Sequence, residues 1–201
     1  MSSLIQSDDD PSSTSNNSHE NHIDSEHFHH DSNNTRSSSS NSSMEKQIQE
    51  INQQYQSRIQ ISTNDLGYAL YAQKHFAQGE LVMKSRALSI SKIRDAHSVQ
   101  THWNQHATID LPARFINHSC QANVGILDNS LGAFDFYAIQ PIEPGQELLW
   151  DYTASEWEIR SFSQCLCKSV RCRQVLKGFK EDGESVRKWY GKYYADYLKE
   201  L

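Results

Sequence analysis

Three of the four cysteines in this chain form a C-x-C-x4-C arrangement at Cys165, Cys167 and Cys172, and the fourth, Cys120, lies upstream. Thiols one residue apart do not meet the geometry of a disulfide between them. Four thiolates complete a tetrahedral zinc site, and closed sites of this kind are structural. One disulfide with two free buried thiols is the alternative, which the spacing disfavours. The pattern therefore predicts a zinc site that ties the C-terminal segment to the loop around Cys120.

The first 43 residues contain 15 Ser and almost no apolar residues. Such a segment buries too little apolar surface to offset its conformational entropy, so we predict that residues 1–43 are disordered. They hold seven acidic residues and one basic residue, which leaves 25 − 7 = 18 acidic and 19 − 1 = 18 basic residues elsewhere. The net charge of −6 therefore belongs to this tail, and the folded part is neutral.

The neutral folded part has no basic run, which predicts no direct nucleic-acid binding. No apolar stretch is long enough for a membrane span, so no membrane association is expected. The N-terminus lacks the apolar core of a signal peptide, which predicts an intracellular protein under reducing conditions, in either the nucleus or the cytoplasm. Reducing conditions also disfavour a disulfide among the cysteines.

Apolar residues recur at helical spacing from Met44 to Tyr55, which predicts an amphipathic helix over residues 44–58. From residue 59 onward, short apolar runs are separated by turn residues, which is typical of strands. An aromatic stripe at helical spacing predicts a second helix over residues 181–201. Many short strands with few helices indicate a mainly β domain closed by a C-terminal helix.

The segments "RFINHSC", "GQELLWDY" and "CLCKSVRC" follow one another in this order, with "LGYALYAQKHFAQGELV" upstream. Together they resemble a SET-domain protein-lysine methyltransferase with a post-SET zinc segment, in the manner of small stand-alone SET proteins. The resemblance implies a SET domain over residues 59–160 and a post-SET segment over residues 161–180. It also implies a β-clip-like fold with short helices, in which the Asn-His segment and the "ELLWDY" segment pass each other as a pseudoknot.

The resemblance further implies a role for individual residues. Tyr152 is the expected catalytic residue. Trp150 is the expected substrate-channel residue, at the position that tunes how many methyl groups are added. Trp stands there where Phe or Tyr is usual, so the larger ring predicts low methylation multiplicity. Phe162 is the alternative to Trp157 for stacking on adenine. The residues expected to bind S-adenosylmethionine are Gly67, Tyr68, Ala69, Arg114, Phe115, Asn117, His118, Tyr152 and Trp157.

Methyl transfer from a sulfonium to an amine is an in-line displacement, so the alignment of the two reactants is the main contribution. The attacking lysine must be neutral, and an aromatic channel favours the neutral amine by desolvation. The expected function is S-adenosylmethionine-dependent methylation of a lysine in a protein substrate, histone or non-histone. Ala69, where glycine is usual, and Trp150 favour the alternative of an inactive SET-fold binding module. A purely structural zinc protein is the third alternative, and it predicts no cofactor affinity.

Overall fold

The computed structural model describes residues 36–95, 97–160 and 164–200. In this part of the chain short strands dominate and form small sheets, together with two α-helices, one of them C-terminal. The expected fold class is thereby confirmed. Most of the predicted tail, residues 1–35, and Phe162 lie outside the described residues. Neither helix of the described part has the length and apolar character needed to cross a membrane.

Helix α1 spans Arg36–Gln54, so it begins and ends earlier than the predicted helix over residues 44–58. It ends at Gln54 because the next four residues form a turn that leads into the first strand. The apolar stripe predicted from the periodicity packs against the core through Ile48, Ile51 and Tyr55.

Ten short strands follow α1 in the described residues, and three 3₁₀ turns are inserted among or after them. The strands are β1 (Ile59–Asn64), β2 (Gly67–Ala72), β3 (Leu81–Lys84), β4 (Ala87–Ser91), β5 (Val99–His102), β6 (Gln105–Ile109), β7 (Asn117–His118), β8 (Val124–Asp128), β9 (Phe134–Ala138) and β10 (Leu149–Trp150). The 3₁₀ turns span Ala113–Phe115, Tyr152–Ala154 and Asp196–Leu198.

The strands form four small sheets. Strands β1 and β2 are an antiparallel hairpin, and two three-stranded antiparallel sheets have the orders β3-β9-β8 and β4-β6-β5. Strands β7 and β10 pair in parallel, with Leu149 opposite Asn117 and Trp150 opposite His118. The Asn-His segment and the "ELLWDY" segment therefore lie side by side, as the resemblance implied.

Helix α2 spans Phe179–Tyr190 and ends at Gly191, whose φ of +59° is a conformation that glycine adopts readily. The segment before α2 passes close to the backbone of Trp157: a Cβ added at Gly178 would lie 2.2 Å from the Trp157 carbonyl oxygen. Glycine is therefore required for this approach. The division of the chain at residues 43, 58, 160 and 180 stays a prediction.

Candidate functional site

The parallel pair β7–β10 places the predicted site residues next to one another. Ser119 donates its backbone N–H to the Trp150 carbonyl (3.0 Å), which continues the pairing beyond the two strands. Asp151 then caps the following 3₁₀ turn, because its Oδ1 accepts the Thr153 N–H at 3.1 Å. Tyr152 is thus held at the first position of a short, capped turn.

A cavity of ≈ 620 Å³ opens beside this strand pair, within the size range of ligand sites in proteins. Six of the residues predicted to bind cofactor or line the substrate channel are on its wall: Tyr68, Arg114, Phe115, Asn117, Trp150 and Tyr152. Met44 of α1 also lines it, which the sequence argument did not foresee. The structure therefore brings most of the predicted cofactor residues to one cavity.

The remaining predicted residues have other surroundings. Gly67 begins β2 with a φ of +111°, in the region that favours glycine, and a Cβ there would meet no atom within 4 Å. Ala69 is fully buried in the same strand. Trp157 packs edge-on against Trp103, with 5.3 Å between ring centroids. The roles predicted for these three residues, for His118 and for the six residues on the cavity wall all stay predictions.

The Asn117 side chain is oriented by two acceptors. Its amide nitrogen donates to Glu147 Oε1 (3.0 Å) and to the Tyr68 carbonyl (3.2 Å). Glu147 is in turn held by Asn64, whose amide nitrogen lies 3.2 Å from both carboxylate oxygens. Since the nitrogen is used in this way, the amide oxygen is the atom that Asn117 can offer to a ligand. Glu147 thus orients a predicted site residue, and it was not among the residues predicted from the sequence, although it belongs to the segment "GQELLWDY".

The Tyr152 hydroxyl donates to the Ile116 carbonyl at 3.3 Å, next to the Asn117 strand. Burial, together with the negative charges of Glu147 and Glu156, raises the pKa of Tyr152 to about 12. The phenol is therefore protonated at neutral pH and acts as a hydrogen-bond donor or as a dipole, not as a phenolate base.

Trp150 separates the core from the cavity. It is 4% exposed, and its ring lies 5.8 Å from that of Phe136 and 5.3 Å from that of Tyr152. An indole in this place is fixed by core packing on one side and borders the cavity on the other. It can therefore limit the space beside the Tyr152 hydroxyl.

A second group of side chains lies on the other side of β7, and we call it the cysteine corner: His118, Cys120, Cys165, Cys167 and Cys172. The ligand atoms of the first four lie within 4.8 Å of one another. The Cys120 and Cys165 sulfurs are 3.6 Å apart, and two thiolates on one tetrahedral zinc are separated by about 3.8 Å when each bond is about 2.3 Å. The spacing of these donors fits a zinc ion.

The fourth donor in this group is His118, whereas the sequence predicted Cys172. The Cys172 sulfur lies at the edge of the group, 3.9 Å from the Cys165 carbonyl. His118 Nδ1 accepts the Tyr152 N–H at 3.2 Å, so the neutral ring carries its proton on Nε2, which faces Cys120 Sγ at 3.4 Å. A protonated Nε2 donates to sulfur and does not bind a metal. The four-cysteine ligand set stays a prediction.

The charges in the corner favour sulfur ligands and a neutral imidazole. Burial, only partly opposed by the Asp151 charge, lowers the pKa of His118 to about 4. Burial also raises the pKa of Cys165, whereas the Ser169 hydroxyl and nearby N–H groups overcome burial and hold the pKa of Cys167 below its usual range. At neutral pH the corner thus contains an uncharged histidine and one thiol that ionises readily.

Comparison with known proteins gives a family match for the same strands. Residues 67–153 match the family model of the SET domain. The chain is 42% identical over 67 residues to a probable histone-lysine N-methyltransferase, set-23, of Caenorhabditis elegans, covering 31% of this chain and 28% of that protein. It is 28% identical over 136 residues to the histone-lysine N-methyltransferase ash1 of Drosophila melanogaster, covering 58% of this chain and 6% of that protein.

The matched regions are thus less than a third of the length of either relative. Among solved structures, the methyltransferase domain of human histone-lysine N-methyltransferase SETMAR superposes with a TM-score of 0.46 at 18% identity. That match covers 60% of this chain and 58% of the other. The family match spans β2 to the Tyr152 turn and so includes the cavity residues from Tyr68 to Tyr152.

Proposed function

We propose that this chain, whose residues 67–153 match the SET-domain family model, transfers a methyl group from S-adenosylmethionine to the side-chain amine of a protein lysine. One observation carries the proposal: the Tyr152 hydroxyl, the Ile116 carbonyl and the Asn117 amide converge at the wall of one cavity, next to the Trp150 ring. A methyltransferase needs no acidic or nucleophilic side chain there, because alignment of the reactants supplies most of the catalysis.

The chain's own groups fit S-adenosylmethionine. Asn117 and Arg114 line the cavity, where an amide oxygen can accept a hydrogen bond and a guanidinium can bind a carboxylate. The Tyr68 and Phe115 rings, 4.9 Å apart, line the same cavity. When bound, S-adenosylmethionine supplies the methyl group on a sulfonium. Asn117 and Arg114 bind and orient it, with Glu147 fixing the amide.

Tyr152 orients the attacking amine. Its phenol stays protonated, so its oxygen is a neutral acceptor for an amine N–H while its proton is held by the Ile116 carbonyl. The surrounding Trp150 and Tyr152 rings exclude water, which lowers the pKa of an incoming lysine and favours its nucleophilic form. The buried Trp150 ring limits the room for an amine that already carries methyl groups, in line with low methylation multiplicity.

The cysteine corner holds a structural zinc ion in this proposal. Cys120, Cys165 and Cys167 are three ligands, and Cys172 is the fourth, because the hydrogen bond from the Tyr152 N–H assigns the Nε2 proton to His118. Cys172 would hold the ion as a thiolate from the same loop as Cys165 and Cys167. Zinc would tie the C-terminal segment to β7, and counting zinc in Cys172→Ser and His118→Gln variants tests the ligand set.

The substrate class follows from the family and from the names of the relatives. Both relatives are described as histone-lysine methyltransferases, so histone peptides are the first substrates to test, and an intracellular protein lysine of another kind is the alternative. A histone substrate would place the protein in the nucleus, and a non-histone one is compatible with the cytoplasm.

Calorimetric titration of S-adenosylmethionine into the zinc-loaded protein tests the proposal. We expect binding by the parent, a loss of at least about tenfold in affinity in Asn117→Ala, and no change in Gln53→Ala, an exposed control on α1. Absence of binding by a folded, zinc-replete parent would instead support the inactive binding module. Mass spectrometry of histone peptides then identifies the methylated lysine.

A further inference from the structure

The Cys120 sulfur is surrounded by three N–H donors. Arg173 provides its backbone N–H at 3.4 Å and its side-chain Nε–H at 3.3 Å, and His118 provides Nε2–H at 3.4 Å. Cys120 is fully buried. These donors, and not water, therefore surround the sulfur.

Two routes lead from this sulfur to the turn that carries Tyr152. In the first, His118 joins Cys120 Sγ through Nε2 to the Tyr152 backbone N–H through Nδ1, at 3.2 Å. In the second, Arg173 joins Cys120 Sγ through Nε to Asp151 Oδ1 through Nη2, at 2.6 Å, and the same Oδ1 accepts the Thr153 N–H. Both routes therefore end on consecutive backbone N–H groups of one 3₁₀ turn.

The second route is buried and carries charge. Asp151 is 1% exposed, and the Arg173 side chain is 12% exposed. The remaining Asp151 oxygen accepts the Tyr190 hydroxyl of α2 at 3.1 Å, and the second Arg173 Nη pairs with Asp182 at 2.7 Å. With these groups bonded on all sides, the guanidinium has one orientation. A displacement of the Cys120 sulfur is then transmitted to Asp151 through a planar group that does not rotate independently.

We propose that His118 and Arg173 are positioning residues through which metal binding at Cys120 sets the place of Tyr152 in the cavity. We call the set His118, Cys120, Asp151 and Arg173 the Cys120 relay. It rests on the proposed function for its catalytic meaning, since Tyr152 is the residue that orients the lysine. With metal bound, the Cys120 sulfur is held in place as a ligand, and both routes hold the Tyr152 turn. Without metal, the sulfur loses that anchor, and both routes are loosened together.

The relay implies reciprocal coupling between the metal and the cofactor sites. If metal binding orders the turn that borders the cavity, then a ligand in the cavity raises the affinity of the corner for metal by the same factor. We expect a coupling factor of about tenfold between zinc and S-adenosylhomocysteine, within the usual range for linked sites. The Arg173 route and the His118 route each account for part of it.

Nitrogen-15 NMR of the zinc-loaded full chain, before and after zinc removal with a chelator, measures the chemical shifts of the Tyr152 and Thr153 amides, where the two routes end. In the parent, both signals are expected to shift on zinc removal and to return when zinc is added back. The double variant Arg173→Met/Asp151→Asn, which removes both buried charges together, should lose the Thr153 response and keep that of Tyr152. His118→Gln should do the reverse, and Arg173→Lys should retain a reduced Thr153 response.

Glu184→Gln is the control, because it removes an exposed carboxylate of α2 that takes part in neither route. The relay is wrong if the parent amides do not move on complete zinc removal, if the Arg173 variants respond like the parent, or if Glu184→Gln loses the response equally. Where chelation unfolds the chain, exchange of zinc for cadmium keeps it folded and changes the metal–sulfur bond, and unmoved amides again overturn the relay.

This readout needs neither cofactor binding nor activity, so it separates the relay from the proposed function. Amides that respond as described in a chain without affinity for S-adenosylhomocysteine support the relay and refute the methyltransferase. A parent that binds S-adenosylhomocysteine and methylates lysine, but whose zinc affinity is the same with and without S-adenosylhomocysteine, supports the enzyme and refutes the relay.

Discussion

The cavity wall and the cysteine corner lie on either side of the same strand, β7, yet different forces hold them. On the cavity side, Trp150 packs against Phe136 and other apolar groups of the core. On the corner side, the sulfur, imidazole, carboxylate and guanidinium groups of the Cys120 relay are held by hydrogen bonds and charge. Apolar packing changes little with pH or chelators, whereas thiolates and buried charges respond to both. We therefore expect the cavity wall to resist changes in pH and chelators and the cysteine corner to respond to them.

Zinc removal is expected to have the largest effect on activity. It removes the ion that holds the cysteine corner and leaves the apolar packing of the cavity wall in place. Chelation should abolish methyl transfer and weaken S-adenosylmethionine binding, while circular dichroism retains the β-sheet signal of the apolar region. Restoring zinc should restore both methyl transfer and S-adenosylmethionine binding. Full cofactor affinity in a protein shown by elemental analysis to contain no zinc would contradict the division into two regions.

Tyr152→Phe removes one hydroxyl where the two regions meet. We expect kcat to fall on the order of 10²-fold, because the amine loses its alignment, with cofactor affinity and melting temperature nearly unchanged. Steady-state kinetics with a saturating peptide substrate measures it. Tyr137→Phe, on β9 and away from the cavity lining, serves as control, and an equal loss of kcat there would remove Tyr152 from its proposed role.

The two regions should also differ in how substitutions depend on metal. Asp151→Asn breaks a buried ion pair and should cost roughly 3–5 kcal/mol of unfolding free energy in the zinc-loaded protein. Phe136→Ala should cost a similar roughly 3–5 kcal/mol by leaving a cavity in the core. In denaturant titrations, the loss of unfolding free energy in Asp151→Asn should differ between the zinc-loaded and the zinc-free protein, whereas the loss in Phe136→Ala should be the same in both. If both losses changed equally with zinc, the cavity wall and the cysteine corner would not be energetically separate.

Acid should weaken the corner through His118. Its pKa is about 4 in the folded chain and about 6.5 when unfolded, so between these values the unfolded state binds more protons. The free energy of unfolding therefore falls as pH decreases from 6.5 to 4, by roughly 3 kcal/mol in total. Denaturant titrations across this range should give a flatter profile for His118→Gln. Parallel profiles for the two proteins would assign the acid sensitivity to other groups.

Trp150→Phe is expected to have the smallest effect on rate and stability and a clear effect on product. A smaller ring beside Tyr152 leaves room for a methylated amine. The variant should therefore produce di- or trimethyl-lysine on a lysine to which the parent adds fewer methyl groups. Pocket changes of this size discriminate substrates by about 1–3 kcal/mol. Mass spectrometry of the peptide product measures it, and trimethyl-lysine from the parent would refute low multiplicity.

Much of the cavity could be predicted from the sequence, because its residues belong to contiguous motifs. The mainly β fold class is confirmed, and Tyr68, Arg114, Asn117 and Tyr152 line one cavity as expected. The helix bounds were less accurate, since α1 begins at Arg36 within a Ser-rich segment whose apolar pattern starts only at Met44. The period of the apolar residues identifies the face of a helix that packs against the core. It cannot predict additional helical turns that contain no apolar residues.

The amino-acid sequence determined which chemistry is available: the Asn-His and "ELLWDY" segments lie in the region that matches the SET-domain model, and the residue types supply a phenol, an amide and thiols. Only the tertiary structure showed that Arg173, from the cysteine segment, reaches both Cys120 and Asp151, and that His118 joins Cys120 to the Tyr152 backbone. Such contacts depend on the distances between groups that are far apart in the chain and on which atom carries the proton. Residue spacing encodes local geometry, whereas the partner of a buried charge is decided by which segments pack together.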